Sequence, residues 1–89
     1  MSIAVKALTA SGQVKAQPGL LYAVVLTAGA DAASATVYNN TAGSGDKVVV
    51  LKAAAGATVV FTPAAPLAAS KGLYAALTGT TPDVSVAYV

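Results

Sequence analysis

The fold class this chain predicts is all-β, a single antiparallel β-sandwich or barrel of seven to nine short strands. Three observations predict it. Runs rich in Val, Thr, Tyr and Leu recur about every ten residues. Each run is bounded by Gly, Pro, Asn, Asp or Ser, the residues that favour turns. Gly or Pro also breaks every window before an apolar pattern of helical period can run for three turns. Twenty-two alanines pull the other way, because alanine is the best intrinsic helix former. They cluster in turn-like segments or alternate with Val, Thr and Tyr, so pattern outweighs propensity. Within the class, a jelly-roll-like and an immunoglobulin-like strand order both stay open.

Residues 2–8, SIAVKAL, alternate, with Ile3 and Val5 set against Ala4 and Lys6. Residues 13–16 form a second short candidate, closed by Gln17-Pro18-Gly19, so residues 1–17 read as an N-terminal arm or edge strands. Residues 20–28 are the strongest run. Tyr22, Val24 and Leu26 fall on one face, and Leu21, Val25 and Thr27 on the other. Both faces are mostly apolar, which predicts a central strand buried on both sides. AGADAA, 28–33, is a turn. In 35–39 Val37 points inward, with Thr36 and Tyr38 opposite. NNTAGSGD, 39–46, is the clearest loop, and 47–52 is a valine-rich strand.

AAAG, 53–56, turns the chain into a strand over 57–62, where Val59 and Phe61 share a face. Val24 and Phe61 are the expected core positions of the two strongest strands. Pro63 and Pro66 cannot donate to a central ladder and mark an edge or crossover. PLAAS, 66–70, is the one place where a short helical turn is expected. The last strands are 72–78 and 83–89, joined as a hairpin by Thr81-Pro82-Asp83, with Leu73, Ala75 and Leu77 matching Val84, Val86 and Tyr88. Strict alternation to the penultimate residue predicts a structural final strand and not a loose tail.

At 89 residues the chain makes one domain, 1–89. Only 9% of it is charged, against about 25% in typical soluble domains. A monomer would therefore present Ala, Thr, Ser and Gly, a surface that solvates weakly and packs readily on another subunit. A homo-oligomer is expected. No membrane span is expected, because the longest apolar stretch, 19–30, ends at Asp31, short of the roughly 18 residues a helix needs. Lys6 interrupts what would be a secretory signal after Met1, so synthesis in the cytoplasm is expected. A net charge of +2 on dispersed lysines is no nucleic-acid footprint, which needs clustered Lys and Arg. Asn39-Asn40-Thr41 matches a glycosylation sequon but reads as a turn.

Arg, Glu, His and Cys are all absent, leaving Lys6, Lys15, Lys47, Lys52, Lys71, Asp31, Asp46 and Asp83 for any acid–base work. Each aspartate sits beside a turn, where its side chain can bond nearby backbone amides. Calcium needs about six to eight oxygen ligands, which three scattered aspartates do not supply. AGSGDK, 42–47, lacks the phosphate-loop spacing and precedes a strand where that loop needs a helix, so it reads as a flexible hairpin. Ser34, Ser44, Ser70 and Ser85 have no histidine to activate them. The expectation is a chain with no catalytic residue, metal or cofactor. Tyr22, Tyr38, Tyr74 and Tyr88 are the candidate interface residues, since aromatic rings pack subunit contacts or bind sugars.

GLLYAVVLTAGADAASATVYNN, 19–40, followed by GDKVVVLKAAAGATVVFTPAAPLAASKGLYAALTGTTPDVSVAYV, 45–89, resembles a family of small tailed-bacteriophage virion proteins. The likeness covers about 18–89 and rests on a GLLY opening ending in ATVYN, a V–L–A–VVF–P middle and a KGLY–LTGT–V–Y close. It implies a short β-domain without catalytic residues. Together with the self-packing surface, it implies a capsid decoration or cement protein. Such a protein would assemble as a homo-oligomer, expected to be a trimer, and bind the major capsid protein on the virion surface. The alternative is a head-fibre, neck or tail module that recognises a host surface or glycan, through Tyr38 or Tyr74.

Overall fold

Nine strands form over residues 3–89, which are those described by the computed structural model. They are β1 (Ala4–Leu8), β2 (Gly12–Lys15), β3 (Gly19–Thr27), β4 (Ala33–Asn39), β5 (Asp46–Ala53), β6 (Thr58–Phe61), β7 (Leu67–Ala69), β8 (Leu73–Thr78) and β9 (Asp83–Tyr88). Met1 and Ser2, where the first expected strand begins, lie outside the described residues.

The pairing is nested. β4 pairs with β5, β3 with β6 and β7, β2 with β8, and β1 with β9, all antiparallel. The chain is thus one long hairpin with its tip at the β4–β5 turn. It is rolled so that successive pairs fall in alternate sheets. Two further pairings, β3 with β9 and β4 with β8, join the pairs side by side. The result is sheet A, ordered β1-β9-β3-β6 with β7 also on β3, and sheet B, ordered β2-β8-β4-β5. This rolled hairpin of two packed sheets is a jelly roll. In the immunoglobulin arrangement the first two strands are neighbours in one sheet, whereas here β1 and β2 lie in opposite sheets.

The core forms between the sheets because each strand alternates. On sheet A the inward rows are Leu8–Val84–Leu26–Val59 and Lys6–Val86–Val24–Phe61, read straight across the ladders. On sheet B they include Ala75–Val37–Val49 and Leu77–Ala35–Leu51. Leu21, Leu26, Leu73, Val24, Val37, Val84 and Val86 are fully buried. Each such side chain contributes about 1.5–3 kcal/mol relative to exposure. Ala28, Ala33, Ala35, Ala53, Ala69 and Ala75 are buried among them. Here alanine serves as a small core residue, and its helix propensity is overridden by strand pairing.

Four expectations need correction. First, β3 is central, but only one of its faces is deeply buried, and Tyr22 does not share that face. The register with β9 shifts between Leu21 and Ala23, so a β-bulge at Tyr22 resets the alternation. Leu21, Val24, Leu26 and Ala28 then point inward, and Tyr22 points out, half-buried. Second, 66–70 holds no helical turn. Leu67–Ala69 is β7, paired with Gly19, Leu20 and Leu21. Its three backbone partners outweigh the propensity of two alanines.

Third, the final two strands are not a hairpin. β8 belongs to sheet B and β9 to sheet A, so the Gly-Thr-Thr-Pro turn between them carries the chain across the sandwich. Leu73 and Ala75 therefore lie across the core from Val84 and Val86, not beside them. The final strand is nonetheless structural, because it sits between β1 and β3. Fourth, Phe61 has the expected phase, opposite Val24, but is only half-buried because β6 is an edge strand. Val24 is completely buried. β6 and β7 run along the same edge of β3, and Pro63 and Pro66 occupy the gap between them. The edge expected from those prolines is where they lie.

Loops at each end tie the sheets together. Gly56 has φ +72, a conformation costly for side chains, and donates its amide to Gly29 O at 2.9 Å. Gly29 in turn packs so closely on Thr81 that an added Cβ would lie 2.7 Å from the Thr81 carbonyl oxygen. The β3–β4, β5–β6 and β8–β9 turns thus meet at one end.

Leu26→Ala is expected to cost about 2–5 kcal/mol, since the site is sealed on all sides. Phe61→Ala, at the half-buried edge, should cost about 1.5–2.5 kcal/mol, less than the full penalty for a buried aromatic. Denaturant midpoints of the two variants test the order, which would reverse if β6 were a core strand. Ending the chain after Pro82 removes β9 and leaves β1 without any partner, so the cooperative unfolding transition should vanish in calorimetry.

Candidate interaction surfaces

Among the described residues there is no pocket and no cluster of potential metal ligands. What the fold offers to a partner is its two outer faces and four sheet edges.

The outer face of sheet B is polar and aromatic in two of its rows, with Ala76–Thr36–Val50 between them and Val50 exposed. Continuing the alternation, one row across it reads Gln13–Tyr74–Tyr38–Lys47 and another Thr78–Ser34–Lys52. Ser34 and Thr78 hydrogen-bond through their hydroxyls. Tyr38 and Tyr74 are direct cross-strand partners, so two of the four candidate tyrosines form one aromatic pair. The 40–45 loop closes over it. Gly43 approaches Tyr74 so nearly that a Cβ there would sit 3.1 Å from Cε1 of the ring.

That loop, expected as a flexible hairpin, is pinned by its asparagines. Asn40 Nδ2 donates to Ser44 O at 2.8 Å. Asn39 Oδ1 accepts from the Lys71 amide at 2.9 Å, and Asn39 Nδ2 donates to Ser70 Oγ at 3.3 Å. Gln13 Nε2 adds a bond to Thr41 O at 3.2 Å. In the sequon-like Asn39-Asn40-Thr41, Asn39 thus ends β4 and the loop begins at Asn40, with both asparagine side chains bonded to neighbouring backbone.

The outer face of sheet A is different. Its rows read Ala7–Ser85–Val25–Val60 and Val5–Ala87–Ala23, with Tyr22 bulged beside the second. Thr27 and Thr58 follow, joined through their hydroxyls at 3.1 Å. The one charge on this face is Asp83, opposite Thr27 at its end. Val5 and Val60 are 67% and 59% exposed. Among the described residues the face is therefore largely apolar and free of lysine, while Lys47 and Lys52 lie on the opposite face of the molecule.

The remaining candidates are dispersed. Tyr22 is on the outer face of sheet A. Tyr88 has inward phase, opposite Leu21 and Ala4, and packs on the core. The four tyrosines thus form no single platform. Asp31 accepts the Thr80 hydroxyl and so ties the β3–β4 and β8–β9 turns. Asp46 opens β5 opposite Asn39, at the far end of β4. No family model matches the chain, and no curated protein or solved structure is similar to it.

Sequence reasoning missed the apolar face of sheet A. The signal for it was the absence of Lys from 20–28 and 83–89, where the one charged residue is Asp83. The bulge at Tyr22 hid that signal by changing the phase midway along β3.

Asn39→Ala should cost about 0.5–1.5 kcal/mol through the lost bond to Lys71. Its particular mark is faster hydrogen exchange at the Lys71 amide with the β4–β8 ladder amides unchanged. Unaltered exchange at Lys71 would mean that the loop is held without this bond.

Proposed function

We propose that this chain is a non-enzymatic structural protein of a phage virion, a capsid decoration protein that self-associates and binds the outer surface of the major capsid protein. One observation carries the reading: the lysine-free, largely apolar outer face of sheet A. An isolated domain rarely leaves such a face to water, and patches of this kind mark protein contacts. The composition supports the same role. A chain without His, Glu, Arg or Cys has little to offer catalysis and loses nothing as a shell component. The fold is compatible by analogy only, since jelly rolls occur in viral capsid and in lectin domains alike.

A second reading has its own observation. The Tyr38–Tyr74 pair, flanked by Gln13 and Lys47, would suit a module that recognises a host glycan from a fibre, neck or tail position. Copy number separates the two. Imaging of the intact particle should find the protein in hundreds of copies over the shell, with sheet A toward its neighbours. A few copies at a vertex or tail, together with loss of glycan binding in Tyr74→Ala, would favour the second reading.

A further inference from the structure

We propose that two copies of this chain pair through β1, edge to edge and antiparallel about a two-fold axis at Val5, making one continuous sheet across the dimer. The inference rests on the self-association proposed above and names the surface and partner for it.

Edge strands expose unpaired N–H and C=O groups, and proteins normally obstruct them. Three of the four edges here are obstructed. The β6–β7 edge is broken by Pro63 and Pro66. β2 has four residues and a register shift at Val14. β5 carries Lys47 and Lys52 and has a register shift beside Val48. β1 has neither proline nor bulge, carries a single lysine, Lys6, and among the described residues pairs only with β9. It is also covered on neither side, with Ala4, Val5, Lys6 and Ala7 all exposed. Ile3, preceding it, is 51% exposed and Val5 67%.

A second β1 fits this edge because the segment is self-complementary. A two-fold axis at Val5 sets Val5 opposite Val5, Ile3 opposite Ala7, and Ala4 opposite Lys6. The apolar side chains of both copies then lie on one face, continuous with the outer face of sheet A. The two lysines are kept from facing each other. An axis at Lys6 would oppose them, which destabilises a pair. An axis at Ala4 would confine the pairing among the described residues to 3–5, against 3–7 for the axis at Val5. The arrangement is isologous and closes at two copies, so the trimer expected from the sequence would need a different surface.

The chain has no cysteine, which permits a direct test. Val5→Cys places two thiols opposite each other, where facing Cβ atoms lie about 4.5–5.5 Å apart. Mild oxidation should convert it to a reducible covalent dimer about tenfold or more faster than Val60→Cys, exposed on the opposite edge. Val5→Lys should shift the full chain from dimer to monomer in sedimentation while leaving its circular dichroism unchanged. Equal cross-linking of the two cysteine variants would overturn the proposal, as would a wild-type monomer, or an assembly that Val5→Lys leaves intact. None of these results removes decoration of a shell, which is read independently from the imaged particle. An undecorated particle would remove that reading without affecting the cross-link.

Discussion

The pairing of β3 with β9 is the contact on which the rest of the molecule depends. It joins residues 21–27 to residues 83–88 across most of the chain's length. On one side it anchors β6 and β7, on the other β1. The same ladder aligns Val24 with Val86 and Leu26 with Val84, four of the fully buried side chains. Closing so long a loop has an entropic cost that rises slowly with length. The ladder must therefore be matched by burial on the inward face, and that is where the large aliphatic residues are concentrated. A fold made almost entirely of such distant contacts is expected to form slowly compared with helical domains of this size.

Much of this was legible in the sequence, and the failures have physical causes. Val84, Val86 and Tyr88 alternate without interruption, so β9 could be read as structural. Its partner could not. Thr81-Pro82-Asp83 specifies a reversal, but reversal within a sheet and passage between sheets use the same turn residues. The difference is decided by whether Leu73 and Ala75 have a better ladder elsewhere, and β4 supplies it. At Tyr22 the failure is one of phase. A bulge adds one residue to one strand and leaves no composition signal, so everything before it changes face. At 66–70 local propensity lost to the free edge of β3, a competition invisible in a window of five residues. The Tyr38–Tyr74 pair was half legible, since each tyrosine was placed on a strand but nothing in the chain showed those strands to be neighbours.

The scarcity of charge has two consequences that belong together. It leaves only five lysines and three aspartates for any acid–base or metal chemistry, and these are too few to cover every surface. Where those few charges fall then becomes informative. Lys15, Lys47 and Lys52 lie on the edge strands of sheet B, Lys71 in the loop from β7 to β8, Asp31 in the β3–β4 turn, and Asp46 and Asp83 at strand ends. Sheet A receives almost none on its outer face. A uniformly sparse distribution would have indicated only poor solubility. An asymmetric one distinguishes a face suited to protein contact from a face suited to water.

Lys6 shows how far that distinction goes. It has the inward phase of sheet A, in line with Val86, Val24 and Phe61, yet it is exposed. An inward-pointing charge on an edge strand is one of the devices that discourage indiscriminate sheet extension. Here it does so selectively. A strand that set a large apolar or a cationic residue against Lys6 on that face would bury or repel its ammonium group. A copy of β1 with the axis at Val5 offers only Ala4, which leaves room for the lysine stem to lie flat and its charge to reach solvent. The single charge on the open edge thus acts as a register mark, permitting the antiparallel self-pairing about Val5 and penalising the one about Lys6.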